Sequence, residues 1–486
     1  MGFSDTMAAG LASYGPRPCV EFGHTWYTGD DIQRYIALVD AALNRAGVSP
    51  AEPIGLVVRN RVAHAAVILG FIAAGRPVSM VYSYQSEHAI AQDIRTLQLP
   101  AIIADRTDWS DPTDNAAQAT GSAAVALSPT EPFVELRSPR ATTMPVTAGE
   151  PGLHLLTSGT TGPPKRLTVP TAVLEHTVLS MTLGGDVSPD DPPALVFWPF
   201  GTVGVCQLLA AAYSGQRIVL LERFTVEAWV DAVRRHRVQW SGVQPTVIRM
   251  LLEADVPPSD LASLAYLPGG SGPLEPELQR EFECRYGIQL LWGYGATEFA
   301  GTVCTWTPQL RAEYGDTKPG TVGRPLPGVQ VRIVDPDTGA VVTDGGRGLL
   351  SARVDVLGPQ WITTTDIASI DDDGFVTVHG RGDGAINRGG FKVLPERIRK
   401  ALLTHPAVRD ACVVSVPDPR LGEAPFAAVE VRSGASAPTP DELKATVRER
   451  LPAPCVPVAI RCVDELPRNA VMKVQVDAVR ALYDRD

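Results

Sequence analysis

Two short apolar runs joined by an apolar helical segment fix the architecture of the chain's first third. Pro53–Asn60 (PIGLVVRN) is a continuous apolar run of strand length. Ala63–Ala74 (AHAAVILGFIAA) has the small, apolar composition of a buried helix, which Gly75 and Pro77 stop before a second strand at Val78–Val81. A strand buried on both faces is continuously apolar, and parallel neighbours need a helical crossover, so this is a βαβ unit of a parallel sheet. The same order recurs in strand Arg217–Leu221, helix Thr225–His236 and strand Gln239–Val243.

Beyond about residue 320 the pattern changes. Gln330–Val334 and Ala340–Thr343 flank DPDTG, which predicts a hairpin, and the turn Asp371–Gly374 leads into an alternating strand, Phe375–His379. From about Gly384, helices starting at Pro395 and spanning Asp441–Leu451 enclose strand-like runs at Ala411–Val416 and Phe426–Val431. The fold class is α/β. A large N-terminal domain (1–382) holds parallel-rich sheets with helices plus a small β unit, and a small α+β C-terminal domain (383–486) follows.

The 486 residues suffice for two to four domains. Acidic residues outnumber basic ones 54 to 43, for a net charge of -11, which argues against general binding to nucleic acid or anionic membranes. Seven scattered cysteines without a CxxC pair suit a reducing compartment better than zinc or a disulfide framework. MGFSDTMAAGLASYG has no basic-then-apolar leader pattern, and no run reaches about 18 uninterrupted apolar residues. The expectation is a cytoplasmic protein with no membrane span.

The densest chemical signal is LLTSGTTGPPK, Leu155–Lys165. Thr157, Ser158, Thr160 and Thr161 alternate with Gly159 and Gly162, and Lys165 closes the run after a short strand at His154–Leu156. Glycines let backbone N–H groups turn toward an anion, hydroxyls add donors, and lysine adds a mobile charge, which together make a phosphate cradle. The spacing does not fit GxxxxGK[ST].

The string resembles the phosphate loop of the adenylate-forming superfamily, which includes acyl-CoA synthetases, adenylation domains and luciferases. Further motifs resemble that family's in the same order: PGGSGPL (Pro268–Leu274), WGYGATE (Trp292–Glu298), WITTTDIA (Trp361–Ala368), HGRGDGAINRGGFKVLPERI (His379–Ile398) and LPRNAVMKVQ (Leu466–Gln475). The resemblance implies that Tyr294 lies against adenine, Thr297 contacts the α-phosphate, and Glu298 binds Mg²⁺ together with Thr160. It gives the ribose hydroxyls to Asp366 and the ribose or phosphate oxygens to Arg381. Asp383 becomes the hinge, Gly389, Gly390 and Lys392 face the thiol acceptor, and Lys473 is the catalytic lysine. Arg166, Thr365 and Met472 stand where the family usually has glycine, and Arg166 is expected to add charge to the phosphate site.

The implied enzyme is an AMP-forming acid–thiol ligase. ATP converts a small carboxylic acid into an acyl-adenylate, and coenzyme A, or the phosphopantetheine arm of an acyl carrier protein, takes the acyl group. Two anions must meet at the α-phosphate, so positive charge and magnesium supply most of the catalysis. The acid pocket is expected around FWPFGTVG, with Trp198, Phe200, Gly201, Val243, Gly269 and Gly270. No carboxylate stands there to pair an ammonium, so α-amino acids are disfavoured and a hydrophobic or aryl acid is expected. A noncatalytic adenylate-binding homologue is the alternative from another class.

Overall fold

The computed structural model describes residues 2–483 except 84–86, 130–131, 142–148, 157–165, 182–187, 189, 202, 273, 382–383, 385, 389–390, 419–421 and 452; for 156, 297, 381, 387, 391, 392 and 422 it describes the backbone. Packing divides the chain into two compact units, residues 1–329 with 354–360, and 330–353 with 361–486.

In the first unit a seven-stranded sheet runs in the order Val134–Ser138, Ala123–Leu127, Ala101–Asp105, Ile54–Val58, Val78–Tyr82, Gly152–Leu156, Arg166–Pro170. Its central pairs are parallel and its two outer pairs antiparallel. Ile54–Val58 and Val78–Tyr82 are buried throughout, and the helix Val62–Ala73 between them is buried along nearly its whole length. The first βαβ unit is therefore as its composition predicts, with Ile54 beside Val78.

The second repeat does not close in one sheet. Helix Val226–His236 is present, N-capped by Thr225, whose Oγ1 accepts from Ala228 N at 3.2 Å. Strand Ile218–Leu220 already has parallel neighbours on both sides, Ala194–Val196 and Pro18–Phe22. The chain after the helix has no edge to pair there. It runs instead beside a different sheet, where Trp240 bridges Tyr266 and Val243 bridges Gly269.

An N-terminal helix, Phe3–Tyr14, buries Phe3, Met7, Leu11 and Tyr14 in the same core. Their spacing puts all four on one helix face.

In the second unit, a five-stranded sheet includes Val329–Val334 paired antiparallel with Val341–Val342 across the DPDTG turn. A separate sheet pairs Val408–Asp418 with Gly422–Val431, covered by helices Pro395–Leu402 and Pro440–Arg448. The grouping joins the small β unit to the C-terminal region, where the sequence reading joins it to the large domain. Strand Val376–Arg381 ends close to helix Pro395–Leu402: a side chain at Gly380 would lie 3.8 Å from Glu396 Cβ. The expected hinge, Asp383, lies outside the described residues.

Candidate functional site

The first unit's third sheet carries two of the sequence motifs side by side. Tyr266–Gly269 runs parallel to Gln289–Ala296, with Leu267 beside Leu290 and Gly269 beside Trp292. Val243 continues the row at Gly269. Side chains alternate along a strand, so this register sorts two faces. One face holds Ser241, Val243, Leu267, Leu290 and Trp292, all buried. The other carries Gly242 beside Pro268 and Leu291, and in its next row Gln244, Gly270 and Gly293 stand abreast, with Gly270 N donating to Val243 O at 3.3 Å. Missing side chains leave peptide planes exposed at the carboxyl ends of parallel strands, where ligands of open α/β sheets bind.

The Pro268–Leu274 motif is pinned to WGYGATE through Trp292. Its Nε1 donates to Gly272 O at 2.9 Å, and its ring covers Gly269 so closely that a side chain there would come within 2.0 Å. Tyr294 is half-buried, its ring 6.4 Å from Phe299. The short helical turn Thr297–Phe299 follows, leaving Glu298 exposed; among the described residues no cation pairs with it. Thr177 holds the turn in place by donating to Ala300 O, and Ala300 is in the left-handed region at φ 57. An exposed acidic oxygen on a fixed turn is the kind of ligand a hard divalent cation takes. The side chain of Thr297 lies outside the described atoms, and Thr157, Ser158, Gly159, Thr160, Thr161, Gly162 and Lys165 lie outside the described residues.

The two strands flanking that loop form an antiparallel pair, Leu156 opposite Arg166 and His154 opposite Thr168. Arg166 is not aimed as the sequence reading expects. Its Nη1 donates to Met80 O (2.7 Å) and His154 O (3.3 Å), and its Nη2 to both carboxylate oxygens of Asp93 (2.8 and 2.7 Å). A guanidinium paired with a half-buried carboxylate is largely neutralised toward a distant anion. Beside it, burial and the Arg166 charge hold the His154 imidazole below its usual range, and Ser79 Oγ lies 3.2 Å from His154 Nδ1.

The expected acid-pocket residues fall in one neighbourhood. Trp198 is buried with its Nε1 on Gly242 O at 2.8 Å, and its carbonyl accepts from Asn60 Nδ2 at 2.9 Å. Phe200 is buried, its N–H on Asn60 Oδ1 at 3.0 Å. The Tyr82 ring lies against Gly201, and Val243 packs on the buried face opposite Gly242. The sequence reading missed Gln207, on helix Val203–Tyr213: a side chain at Gly242 would come within 2.8 Å of its Nε2, so its amide lies over that glycine. Two amides within the sequence reach of the FWPFGTVG segment and of Val243 were the available signal.

In the second unit Asp366 lies opposite Arg381 on adjacent antiparallel strands, and Thr365 beside it is exposed. The side chain of Arg381 lies outside the described atoms. Trp361 is covered by the Arg332 guanidinium at 4.1 Å and faces that of Arg353 at 5.7 Å. Lys392 pairs in register with Asn387 on a short hairpin; its side chain lies outside the described atoms, and Gly389 and Gly390 outside the described residues.

Lys473 is exposed on a tight turn. Its N–H donates to Asn469 Oδ1 at 2.9 Å and its carbonyl accepts from Asn469 N at 2.8 Å. The turn is tied to buried charge: Arg468 donates to Met472 O (3.2 Å), to Asp410 (2.5 Å) and to Glu430 (3.4 Å), and Arg399 and Arg409 complete the cluster. Burial and the charges of Arg347 and Lys400 push the His379 imidazole down to about 4, and its Nε2 meets Ser369 Oγ at 2.8 Å.

The chain matches the AMP-binding enzyme family over residues 8–357 and the AMP-binding enzyme C-terminal domain over 398–473. It is 26% identical to 4-coumarate–CoA ligase 3 of Oryza sativa subsp. japonica, over 97% of this chain and 90% of that protein. A probable 2-succinylbenzoate–CoA ligase of Mycobacterium tuberculosis is 32% identical over 66% of this chain and 82% of its own length. Among solved structures, ATP-bound MatB from Rhodopseudomonas palustris superimposes with a TM-score of 0.83 at 22% identity, covering 100% of this chain and 99% of that one, which shows the fold. The amide bond synthetase McbA from Marinactinospora thermotolerans does so with a TM-score of 0.78 at 25% identity and 99% of both chains. The chain belongs to the AMP-binding enzymes, within the adenylate-forming, acyl-CoA synthetase-like superfamily.

Proposed function

We propose that this protein uses ATP to convert a small carboxylic acid into an acyl-adenylate, with release of pyrophosphate, and then transfers the acyl group to the thiol of coenzyme A. The observation that carries this reading is the register Gly269–Trp292, which brings the Pro268–Leu274 backbone and the Tyr294–Glu298 segment to the same ends of adjacent strands. The CoA ligases among the relatives support the acceptor.

In this reading Tyr294 stacks on adenine and Asp366 with Arg381 holds the ribose. The Thr157–Lys165 loop grips the β- and γ-phosphates, and Thr297 contacts the α-phosphate. Mg²⁺, held by Glu298 with Thr160, offsets the triphosphate charge. Lys473 draws the carboxylate and α-phosphate together, and no general base is needed because the acid is ionised at neutral pH. A small domain beginning near Asp383 turns between the two half-reactions and presents Gly389, Gly390 and Lys392 to the thiol. No described helix is long and apolar enough to cross a membrane, and a cytoplasmic setting is part of the proposal.

The likeness to an amide bond synthetase favours an amine as a second acceptor worth testing. The experiment is pyrophosphate release with aryl, fatty and amino acids, followed by addition of coenzyme A, a phosphopantetheinyl carrier protein, or an amine. Acid-dependent pyrophosphate release followed by acyl-CoA is the expected result. Release without acyl-CoA moves the acceptor to the carrier protein or the amine, and no acid-dependent release with any acid overturns the adenylation reading in favour of a noncatalytic adenylate-binding homologue.

A further inference from the structure

The glycine face described above is bordered by polar atoms that have no hydrogen-bond partner among the described residues. Gln244 is 6% exposed, stands in register with Gly270 and Gly293, and its Oε1 is buried with no hydrogen-bond partner among the described residues. Gln207 Oε1 is likewise buried without a partner, its amide lying over Gly242 on the same face. A buried amide oxygen left unpaired is costly, and pairs of them bordering one surface are rare unless something supplies donors there.

The surface between them is built from two rows, Gly242 with Pro268 and Leu291, then Gln244 with Gly270 and Gly293. Gly242, Gly270 and Gly293 present backbone on neighbouring strands, and none is fully buried. The Trp198 indole edge closes one side: its Nε1 would be 3.8 Å from a side chain at Gly242. Three peptide planes, the Pro268 ring and an indole edge offer rigid contact surface that suits a planar ring better than a flexible alkyl chain, which must also lose its rotational freedom.

We propose that this shelf takes an aryl carboxylic acid whose ring bears a hydroxyl group, with that hydroxyl hydrogen-bonded to the side-chain amides of Gln207 and Gln244. The inference rests on the adenylation reading and narrows its substrate from a hydrophobic or aryl acid to a hydroxylated aryl acid. A hydroxyl donates once and accepts as well, so it pairs with the oxygen of one amide and the NH₂ of the other, an arrangement open to them because each amide can turn about its last bond. A site built to bind a hydroxyl leaves its own groups unpaired when an analogue lacks it, and so rejects that analogue strongly.

The test is pyrophosphate release with matched acids: benzoate against 4-hydroxybenzoate, cinnamate against 4-hydroxycinnamate, and octanoate. The wild-type protein prefers the hydroxylated member of at least one pair by about tenfold or more in kcat/KM, and turns over octanoate least. Gln207→Leu and Gln244→Leu each reduce that preference ratio by about tenfold, with the KM for ATP unchanged. Gly242→Ala is the second route, since its methyl group displaces the Gln207 amide without removing it, and it lowers the same ratio. Equal turnover within both pairs, a preference for octanoate, or a ratio insensitive to all three substitutions overturns the inference while leaving adenylation intact. No pyrophosphate release with any acid overturns adenylation and this inference with it.

Discussion

Arg166 and Asp93 are locked together, with Arg166 Nη2 within 2.8 Å of both carboxylate oxygens while Nη1 holds the carbonyls of Met80 and His154. One side chain thus ties the strand leaving the phosphate loop to the helix Glu87–Leu97 and to two neighbouring strands. Both partners are less than one-fifth exposed, so the pair is shielded from solvent more than a surface ion pair. Arg166→Gly is expected to cost about 1–3 kcal/mol in stability, read from the denaturant midpoint. Asp93→Asn should cost a similar amount, and the double variant little more than either. Strictly additive losses would contradict the coupling.

Lys473 tests the division of labour between the half-reactions. Lys473→Ala is expected to lower acid-dependent pyrophosphate release by at least about a hundredfold, while thioester formation from supplied acyl-adenylate is retained. Loss of both activities would contradict separate roles. Arg468→Met should cost about 2–4 kcal/mol, because Asp410 and Glu430 remain buried with one cation fewer.

The parts of the fold set by local pattern were legible. Ile54–Val58, Val62–Ala73 and Val78–Tyr82 follow from continuous apolar runs with a Gly–Pro stop, and the DPDTG hairpin from its turn residues. The destination of Gln239–Val243 was not, because strand order depends on which edges are already taken, and Ile218–Leu220 has both sides filled. At the site, the motifs identified the segments, and the register of Gly269 with Trp292 lies beyond any single motif. Arg166 was misread because a charge next to a phosphate loop in sequence does not reveal Asp93, which lies 73 residues earlier in the chain. Gln207 was missed because a glutamine in a small-residue helix carries no pattern; its meaning comes from Gly242 beneath it.

His379 makes stability depend on pH. Burial, then Arg347 and Lys400, disfavour its charged form, lowering its pKa from 6.5 to about 4 in the folded protein. The unfolded chain therefore binds a proton in the window between these values while the folded chain does not. Stability is expected to fall as pH drops from about 6.5 to about 4, with no further loss from this group below. Comparing urea midpoints across that range for wild type and His379→Gln isolates the effect, and parallel curves would sink the assignment.

Met472 stands immediately before Lys473 with φ 60, in the left-handed region, and its N–H donates to Asn469 O at 2.9 Å while its carbonyl accepts from Arg468. A residue with a β-carbon held there is strained by about 1–2 kcal/mol, and glycine is not, although glycine gives back about 0.5–1 kcal/mol through the greater freedom of its unfolded chain. The turn is nevertheless formed, because the Asn469 side chain accepts from two of its backbone N–H groups, the Asn469 backbone closes two more bonds, and Arg468 donates to the Met472 carbonyl. Met472→Gly is thus expected to raise stability by about 0.5–1 kcal/mol, and Met472→Val, whose branched β-carbon is worse in this region, to lower it by about 1 kcal/mol. The ordering Gly above Met above Val in denaturant midpoint is the result that supports a left-handed residue here. Val equal to Met, with Gly below both, would show that the side chain's packing rather than its backbone angle governs the turn that carries the lysine.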